Sequence, residues 1–191
     1  KQATGTGKTK VLTLLMSWCY FHKEYENESD LSKNFLLIAP NTIVLDRLKE
    51  DIEGLRVFNN DPIVPYSGYE GRTWFFNPRV HIQDEIKTLS NEGNIFLTNI
   101  QRFSKRNTKI NDNDLKTKFL GETPIKKTQD DKIKVKDVVK DLDDLIVLND
   151  EAHHIHEDNA WKKSIEDINN VFLQKDSKLR LQIDVTATPK H

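Results

Sequence analysis

The sequence predicts an α/β layered fold with a mainly parallel sheet. Continuous apolar runs at 35–39 and 145–148 are typical of strands buried on both faces, and strand patterns also occur at 94–98 and 179–185. Segments with apolar residues at helical spacing alternate with these strands, joined by polar turns. Such folds place their ligands beyond the carboxyl ends of the strands, where most of the motifs of this chain occur.

The first half of the chain is predicted to alternate helix and strand. In a helix over about 8–25, three-to-four spacing predicts one buried face, made of Val11, Leu14, Leu15, Trp18, Phe21 and Tyr25. A polar connection at 27–33 leads to the strand at 35–39. A second helix over about 42–52 follows, with Asn41 as its N-cap.

The sequence patterns that predict the later elements differ in strength. Residues 63–66 are predicted as a short strand and 80–89 as a helix containing Ile82, Ile86 and Leu89, whereas the aromatic stretch 68–78 has no assignment. The strand at 94–98 leads into 99–103. After the strand at 145–148, a helix is indicated by the spacing of Trp161, Ile165, Ile168 and Phe172, and the last strand runs into 186–189.

Residues 104–144 form a polar, charged insertion in which basic and acidic residues are interleaved. We expect a solvated excursion that ends in a helix over about 134–142. A nucleic-acid contact through its lysines is the alternative.

Length and composition limit the function classes. A chain of 191 residues fits a single domain, 1–191, and its 29 basic and 30 acidic side chains nearly cancel, so any nucleic-acid contact must be local. The single cysteine, Cys19, cannot form an internal disulfide, lies among helical apolar positions and is expected in the core. No apolar run is long enough to span a bilayer, so we expect a soluble cytoplasmic protein without membrane contact.

Residues 3–9 read A-T-G-T-G-K-T and predict a phosphate-binding loop. Gly5 and Gly7 would let backbone N–H groups face a polyphosphate, Lys8 would bridge the β- and γ-phosphates, and the Thr9 hydroxyl would hold Mg²⁺. The strict pattern asks for glycine where this chain has Gln2. A glycine-rich turn before a helix is the alternative.

Asp150 and Glu151 follow the buried strand at 145–148. A carboxylate at this position can hold the shell of Mg²⁺, and the next carboxylate can polarise an attacking water. An acidic turn is the alternative, less favoured because Lys8 and Thr9 occur upstream.

Three nearby histidines, His153, His154 and His156, suggest a transition-metal site as another possibility. Their spacing of i, i+1 and i+3 does not place all three on one helical face.

The motifs at 3–9, 150–153 and 186–188 together resemble superfamily 2 helicases and translocases of DEAD/DEAH type, and the resemblance covers essentially the whole chain. In that family the first motif often has a residue other than glycine at the position of Gln2. Residues 37–42 resemble the second, nucleic-acid-facing motif, and 96–99 the third. Residues 149–154 and 184–190 are similar to the helicase (Res) subunits of type III restriction enzymes and related defence proteins.

The resemblance implies the first RecA-like lobe of a P-loop NTPase, with a three-layer fold and ATP and Mg²⁺ as cofactors. It implies that ATP is bound by Thr4, Gly5, Thr6, Gly7, Lys8 and Thr9. The catalytic residues would be Lys8, Asp150 and Glu151, with Thr9 and Asp150 holding Mg²⁺.

The remaining motifs imply coupling and nucleic-acid binding. His153, Thr186 and Thr188 would couple the γ-phosphate state to the nucleic-acid side. Pro40, Asn41, Thr98 and Asn99 would contact phosphates without reading bases.

The function implied is that of the ATP-binding lobe of an ATP-dependent helicase or translocase, DNA-directed and part of a restriction-modification or defence system with a possible modification subunit. An RNA helicase lobe and a nucleotide-dependent switch without translocation are the alternatives. The family hydrolyses ATP between two lobes, and the second lobe supplies arginines to the transition state. We therefore expect a fragment of a longer protein that is essentially inactive alone. No nuclease motif is visible.

Overall fold

The computed structural model of the chain describes residues 7–60, 72, 74–83, 85–104, 135–150 and 159–186. The described strands are β1 (Asn34–Ala39), β2 (Arg79–Ile82), β3 (Asn94–Asn99), β4 (Asp144–Asp150) and β5 (Lys178–Val185). They form one sheet in the order β2-β3-β1-β4-β5, and every neighbouring pair is parallel. The predicted parallel sheet is confirmed.

Helices cover both faces of this sheet. The described helices are α1 (Lys8–Tyr25), α2 (Thr42–Ile52), α3 (Arg56–Asn60), α4 (Ile100–Ser104), α5 (Val135–Val139) and α6 (Asn159–Gln174), with a 3-10 turn at Glu53–Leu55. Residues of α1, α2 and α3 share one apolar cluster with the sheet, and residues of α4, α5 and α6 share a second. The fold is therefore the three-layer α/β arrangement that the sequence predicts.

The central strands bury both of their faces. In β1, Phe35 and Leu37 belong to the cluster with α1, whereas Leu36 and Ile38 belong to the cluster with α6. All four side chains are fully buried. This alternation explains why the sequence shows an uninterrupted apolar run rather than a period of two.

Polar side chains connect β2 to the amino ends of β3, β1 and β4. His81 Nε2 lies 3.0 Å from Asn94 Oδ1, and Asn94 Nδ2 donates to Asn34 Oδ1 at 2.9 Å. Asn34 Nδ2 donates to Asp144 Oδ1 at 3.2 Å, and Ser32 Oγ donates to the same oxygen at 2.6 Å. The polar groups at this end of the sheet are therefore partnered with one another.

The buried face of α1 differs from the prediction. The helix has the predicted bounds, but Leu12, Met16 and Tyr20 face the core, while Leu14 and Trp18 are 39% and 58% exposed. Of the predicted face only Phe21 is buried. The helix carries apolar residues on two faces, and spacing alone does not determine which face the sheet covers.

The aromatic stretch without an assignment packs against α1 and α3 in its described part. The Phe76 ring stacks on Phe58 with centroids 4.3 Å apart and contacts Tyr20 edge to face at 4.9 Å. Trp74 contacts Phe21 at 5.0 Å. Trp74 and Phe76 thus extend the core on this side, whereas the predicted strand at 63–66 lies outside the described residues.

The predicted helix over 80–89 is wrong. Arg79–Ile82 is a strand paired with β3, and no described residue from 83 to 90 is helical. Val80 and His81 are buried on opposite faces of β2, so this short segment has no clear alternation. Pairing with the neighbouring strand therefore overrides the weak helical spacing of Ile82, Ile86 and Leu89.

The segment predicted as a charged insertion is described only at its end, because residues 105–134 lie outside the described part. There α5 is shorter than the predicted helix over 134–142. Val135, Val139 and Leu142 are buried in the cluster with α6. The end of this segment thus belongs to the core.

The remaining predicted elements are present. The helix indicated by Ile165, Ile168 and Phe172 is α6, and these three side chains are buried.

Cys19 is 1% exposed, and burial raises its pKa to about 11, as expected of a core thiol. Within the described part of the chain, no helix is both long and apolar enough to cross a membrane.

Candidate functional site

The predicted site residues converge on one edge of the sheet as far as they are described. The carboxyl ends of β1, β3, β4 and β5 lie side by side, with Ala39 opposite Asn99 and Asp150 opposite Val185. The described site residues are Gly7, Lys8, Thr9, Pro40, Asn41, Thr98, Asn99, Asp150 and Thr186. Six more, Thr4, Gly5, Thr6, Glu151, His153 and Thr188, lie outside the described residues.

Gly7 and Lys8 form the junction between the predicted phosphate loop and α1. Gly7 has a φ of 86° and a ψ of 21°, a left-handed conformation that favours glycine. The Val11 N–H donates to the Gly7 carbonyl at 3.0 Å, so the helix begins directly after this residue. A helix N-terminus at this point suits an anion, because its N–H groups and dipole favour negative charge.

Asp150, at the carboxyl end of β4, is 1% exposed. Its Oδ2 lies 3.6 Å from Nη2 of Arg47 on α2, and the positive charges of Lys8 and Arg47 both act on it. Burial raises the pKa of the carboxyl above its ordinary value, and the two cations oppose this shift. Lys8 is itself buried, so α1 and β4 bring opposite charges together inside the protein.

The second oxygen of this carboxylate makes the site suitable for a hard cation. Asp150 Oδ1 is buried and has no hydrogen-bond partner among the residues that the structure describes. A buried acceptor without a partner is costly, and Mg²⁺ prefers carboxylate oxygens. The described residues therefore fit the predicted magnesium site, and Thr9 lies next to Lys8 at the start of α1.

Asn149 and Asp184 join β4 to β5 beside the site. They are opposite each other in the parallel pairing, and Asn149 Nδ2 donates to Asp184 Oδ1 at 2.6 Å. Asn149 is fully buried, and its Oδ1 has no hydrogen-bond partner within the described ranges. This pair links the strand that ends at Asp150 to the strand that precedes Thr186.

Sequence reasoning missed this pair and Arg47. The signals for the pair are that Asn149 and Asp184 begin the two stretches that resemble the Res subunits, and that Asn149 ends an apolar run. Arg47 has no signal of its own, because an arginine on a helix is ordinarily solvated.

The two predicted nucleic-acid asparagines begin helices. Asn41 Oδ1 accepts from the Val44 N–H at 3.0 Å, which confirms the predicted N-cap of α2. Asn99 Oδ1 accepts from the Arg102 N–H at 2.9 Å at the start of α4. Their side-chain oxygens are therefore engaged with the backbone.

Burial limits what the other predicted contact residues can offer. Thr98 and Asn99 are 2% and 3% exposed, and Pro40 is also buried. Their positions at the strand ends agree with the prediction, but these side chains are not presented to solvent.

The histidine alternative lies outside the described residues, since His153, His154 and His156 are not among them. Among the residues that are described, no group of three or more histidine, cysteine or acidic side chains could hold a metal ion.

Comparison with protein-family models matches residues 1–191 to the family described as type III restriction enzyme, res subunit. A search of curated proteins gave no match. The family comprises P-loop NTPase domains of helicase superfamily 2, in agreement with the parallel sheet and its flanking helices. The chain therefore belongs to the type III restriction enzyme res subunit family and is an ATP-binding domain of the helicase type.

Proposed function

We propose that this chain is the first RecA-like lobe of a DEAH-type motor that moves along DNA by hydrolysing ATP, within a restriction-modification or defence system. The observation that carries the proposal is the buried Asp150 carboxylate, which lies at the carboxyl end of β4 under the charge of Lys8. One of its oxygens has no partner among the described residues. Family membership supports the ATP-binding part of the proposal.

The chain's own residues divide the work at the nucleotide. The loop residues Thr4, Gly5, Thr6 and Gly7, with Lys8, would hold the phosphates of ATP. Thr9 and Asp150 would hold Mg²⁺, which supplies charge neutralisation on the phosphate oxygens when it is bound. Glu151 would accept a proton from the attacking water and orient it.

Coupling to nucleic acid would run through β5. His153, Thr186 and Thr188 would respond to the γ-phosphate. The hydrogen bond from Asn149 to Asp184 supports this role because it ties β5 to β4 beside the Asp150 carboxylate. Displacement of the carboxyl end of β4 would therefore be transmitted to the carboxyl end of β5.

Nucleic-acid phosphates would be bound where α2 and α4 begin. Because Asn41 and Asn99 cap these helices and Pro40, Thr98 and Asn99 are buried, the contacts would be made by backbone N–H groups rather than by these side chains. Such contacts follow a strand without reading its bases.

The proposal extends to a longer protein. A second RecA-like lobe would supply the arginines that stabilise the transition state, and a modification subunit would accompany the motor on DNA. We place the protein in the cytoplasm, where DNA, ATP and Mg²⁺ are available together. Residues 1–191 would form one lobe, and the charged insertion predicted at 104–144 would be limited to the residues before Val135.

The proposal is tested on the full-length protein through its ATP turnover. Lys8→Ala should abolish turnover and weaken ATP binding, whereas Glu151→Gln should keep ATP binding and slow hydrolysis by orders of magnitude. Steady-state phosphate release and equilibrium nucleotide binding measure the two effects. Glu50→Gln, at an exposed position on α2, is the control and should change neither.

The choice of nucleic acid separates the alternatives in the same assay. Stimulation of turnover by DNA supports the proposal, and stimulation by RNA alone would favour an RNA helicase. Turnover that neither nucleic acid changes would favour a nucleotide-dependent switch. Near-normal turnover in Glu151→Gln would remove this residue from the catalytic role.

A further inference from the structure

We infer that Arg47 is a positioning residue that holds the Asp150 carboxylate when no Mg²⁺ is bound and couples nucleic-acid binding at α2 to Mg²⁺ affinity. The inference rests on the proposed function, because it assigns a regulation to the same nucleotide site.

The two charged partners differ in their freedom to move. The Asp150 side chain is 1% exposed, whereas the Arg47 side chain is 49% exposed, and Nη2 and Oδ2 are 3.6 Å apart. This distance suits an ion pair but exceeds that of a good hydrogen bond. The guanidinium can therefore leave the carboxylate without unpacking the core.

Competition for the carboxylate follows from its charge. The Asp150 carboxylate has almost no contact with solvent. A guanidinium at this distance therefore offsets part of the cost of burying its negative charge. A divalent cation at the same carboxylate would repel the guanidinium. Arg47 should therefore stabilise the metal-free protein and oppose Mg²⁺ binding.

The position of Arg47 on α2 connects this competition to nucleic acid. The residue lies five positions after Thr42, the first residue of α2, which is about 7.5 Å along the helix. A nucleic-acid phosphate at the start of α2 would attract the exposed guanidinium away from Asp150. Nucleic acid should then raise Mg²⁺ affinity, and by linkage Mg²⁺ should raise nucleic-acid affinity by the same factor.

The first test measures binding rather than turnover in the full-length protein. A fluorescent, non-hydrolysable ATP analogue is held at fixed concentration and titrated with MgCl₂, with and without saturating single-stranded DNA. In the wild type, DNA should lower the half-saturating Mg²⁺ concentration by about fivefold, at the low end of typical couplings. Without DNA, Arg47→Gln should lower the half-saturating Mg²⁺ concentration by a similar factor, and DNA should then have no further effect. Arg47→Lys should restore part of the DNA effect. Arg56→Gln, at an exposed position on α3, should behave as the wild type.

The second test needs no nucleotide and separates charge pairing from damage to the fold. Without Mg²⁺, Arg47→Gln should lower the midpoint of thermal unfolding, and this loss should vanish in the Asp150→Asn background, where Arg47 has no buried negative charge to pair with. An equal loss in both backgrounds would overturn the inference. So would a DNA effect on Mg²⁺ affinity that persists in Arg47→Gln.

Failure of the proposed function has a different signature. A wild-type protein whose binding of the analogue does not respond to Mg²⁺ would contradict the nucleotide site itself, and the inference with it. Normal Mg²⁺-dependent binding in the wild type, unchanged by Arg47→Gln, would overturn only the role of Arg47.

Discussion

At the scale of the residue, His81 has a protonation state that its neighbours define. The ring is fully buried and stacks on Phe96 with centroids 4.7 Å apart. Nδ1 accepts from the Lys87 N–H at 3.1 Å, so Nε2 carries the proton and donates to Asn94 Oδ1. The histidine is therefore held neutral, in one tautomer.

This state makes the stability of the fold depend on pH. Burial, and to a lesser extent the charges of Lys87 and Arg79, lower the pKa of His81 from its ordinary 6.5, and the bond to Asn94 opposes the shift. Below pH 6.5 the unfolded chain binds a proton that the folded chain excludes, so the free energy of unfolding should fall as the pH decreases. Above that pH both states are neutral and this contribution is constant.

The measurement compares urea unfolding near neutral pH and at mildly acidic pH in the wild type and in His81→Gln. The variant cannot titrate at this position, so it should lose less stability on acidification, even if it is less stable throughout. His22→Gln, which changes a half-buried histidine on α1, serves as the matched control. An equal loss in the wild type and in His81→Gln would show that His81 is not the source of the pH dependence.

At the scale of the element, α2 joins a structural role to the functional role that we propose for it. Its N-cap, Asn41, lies at the edge proposed to bind nucleic acid, and the helix carries Arg47 toward Asp150. Packing of Leu45, Leu48 and Ile52 against the sheet holds the helix axis in place. The N–H groups at its start are therefore presented at a defined position.

Substitutions at Asn41 distinguish its role as the N-cap of α2 from a direct contact with nucleic acid. Asn41→Ala should destabilise the fold by about 1 kcal/mol and reduce nucleic-acid-stimulated ATPase more than basal ATPase, because the first turn of α2 loses its partner. Asn41→Ser keeps a capping oxygen and should restore both properties. Urea unfolding and phosphate release measure them. If Asn41→Ser restored the stability of the fold but not the stimulation of ATPase by nucleic acid, the Asn41 amide itself would contact nucleic acid.

At the scale of the whole molecule, charge argues for a local binding surface. The formal net charge is −1, so no general positive field attracts nucleic acid. The phosphate contacts proposed where β1 leads into α2 and β3 leads into α4 would still bind a nucleic-acid strand and release counterions.

The expected binding is independent of sequence and sensitive to salt. In the full-length protein, affinity for single-stranded DNA should fall with rising KCl along a straight line in a log–log plot, with a slope of about −0.7 per phosphate contacted. Fluorescence anisotropy with two oligonucleotides of unrelated sequence measures both properties. Overlapping lines for the two oligonucleotides are expected, and a strong preference for one of them, or an affinity that salt leaves unchanged, would contradict phosphate-only contact.

Much of the fold could be predicted because its strongest signals are local. The runs at 35–39 and 145–148 are apolar throughout because β1 and β4 lie inside the sheet, and Ile165, Ile168 and Phe172 repeat at helical spacing because one face of α6 is buried. The prediction failed where local signals were ambiguous. The helix α1 has two apolar faces, and β2 is a short strand with both faces buried.

The sequence by itself determined the buried strands β1, β3 and β4, the bounds of α1 and α2, and the family motifs, because these depend on residues close together in the chain. Only the tertiary structure decided the pairs that join distant residues: Arg47 with Asp150, Asn149 with Asp184, and His81 with Asn94. The physical reason is that a buried polar group is stabilised by whichever partner the strand order places beside it. Strand order is a property of the assembled sheet, and no periodicity within a single segment records it.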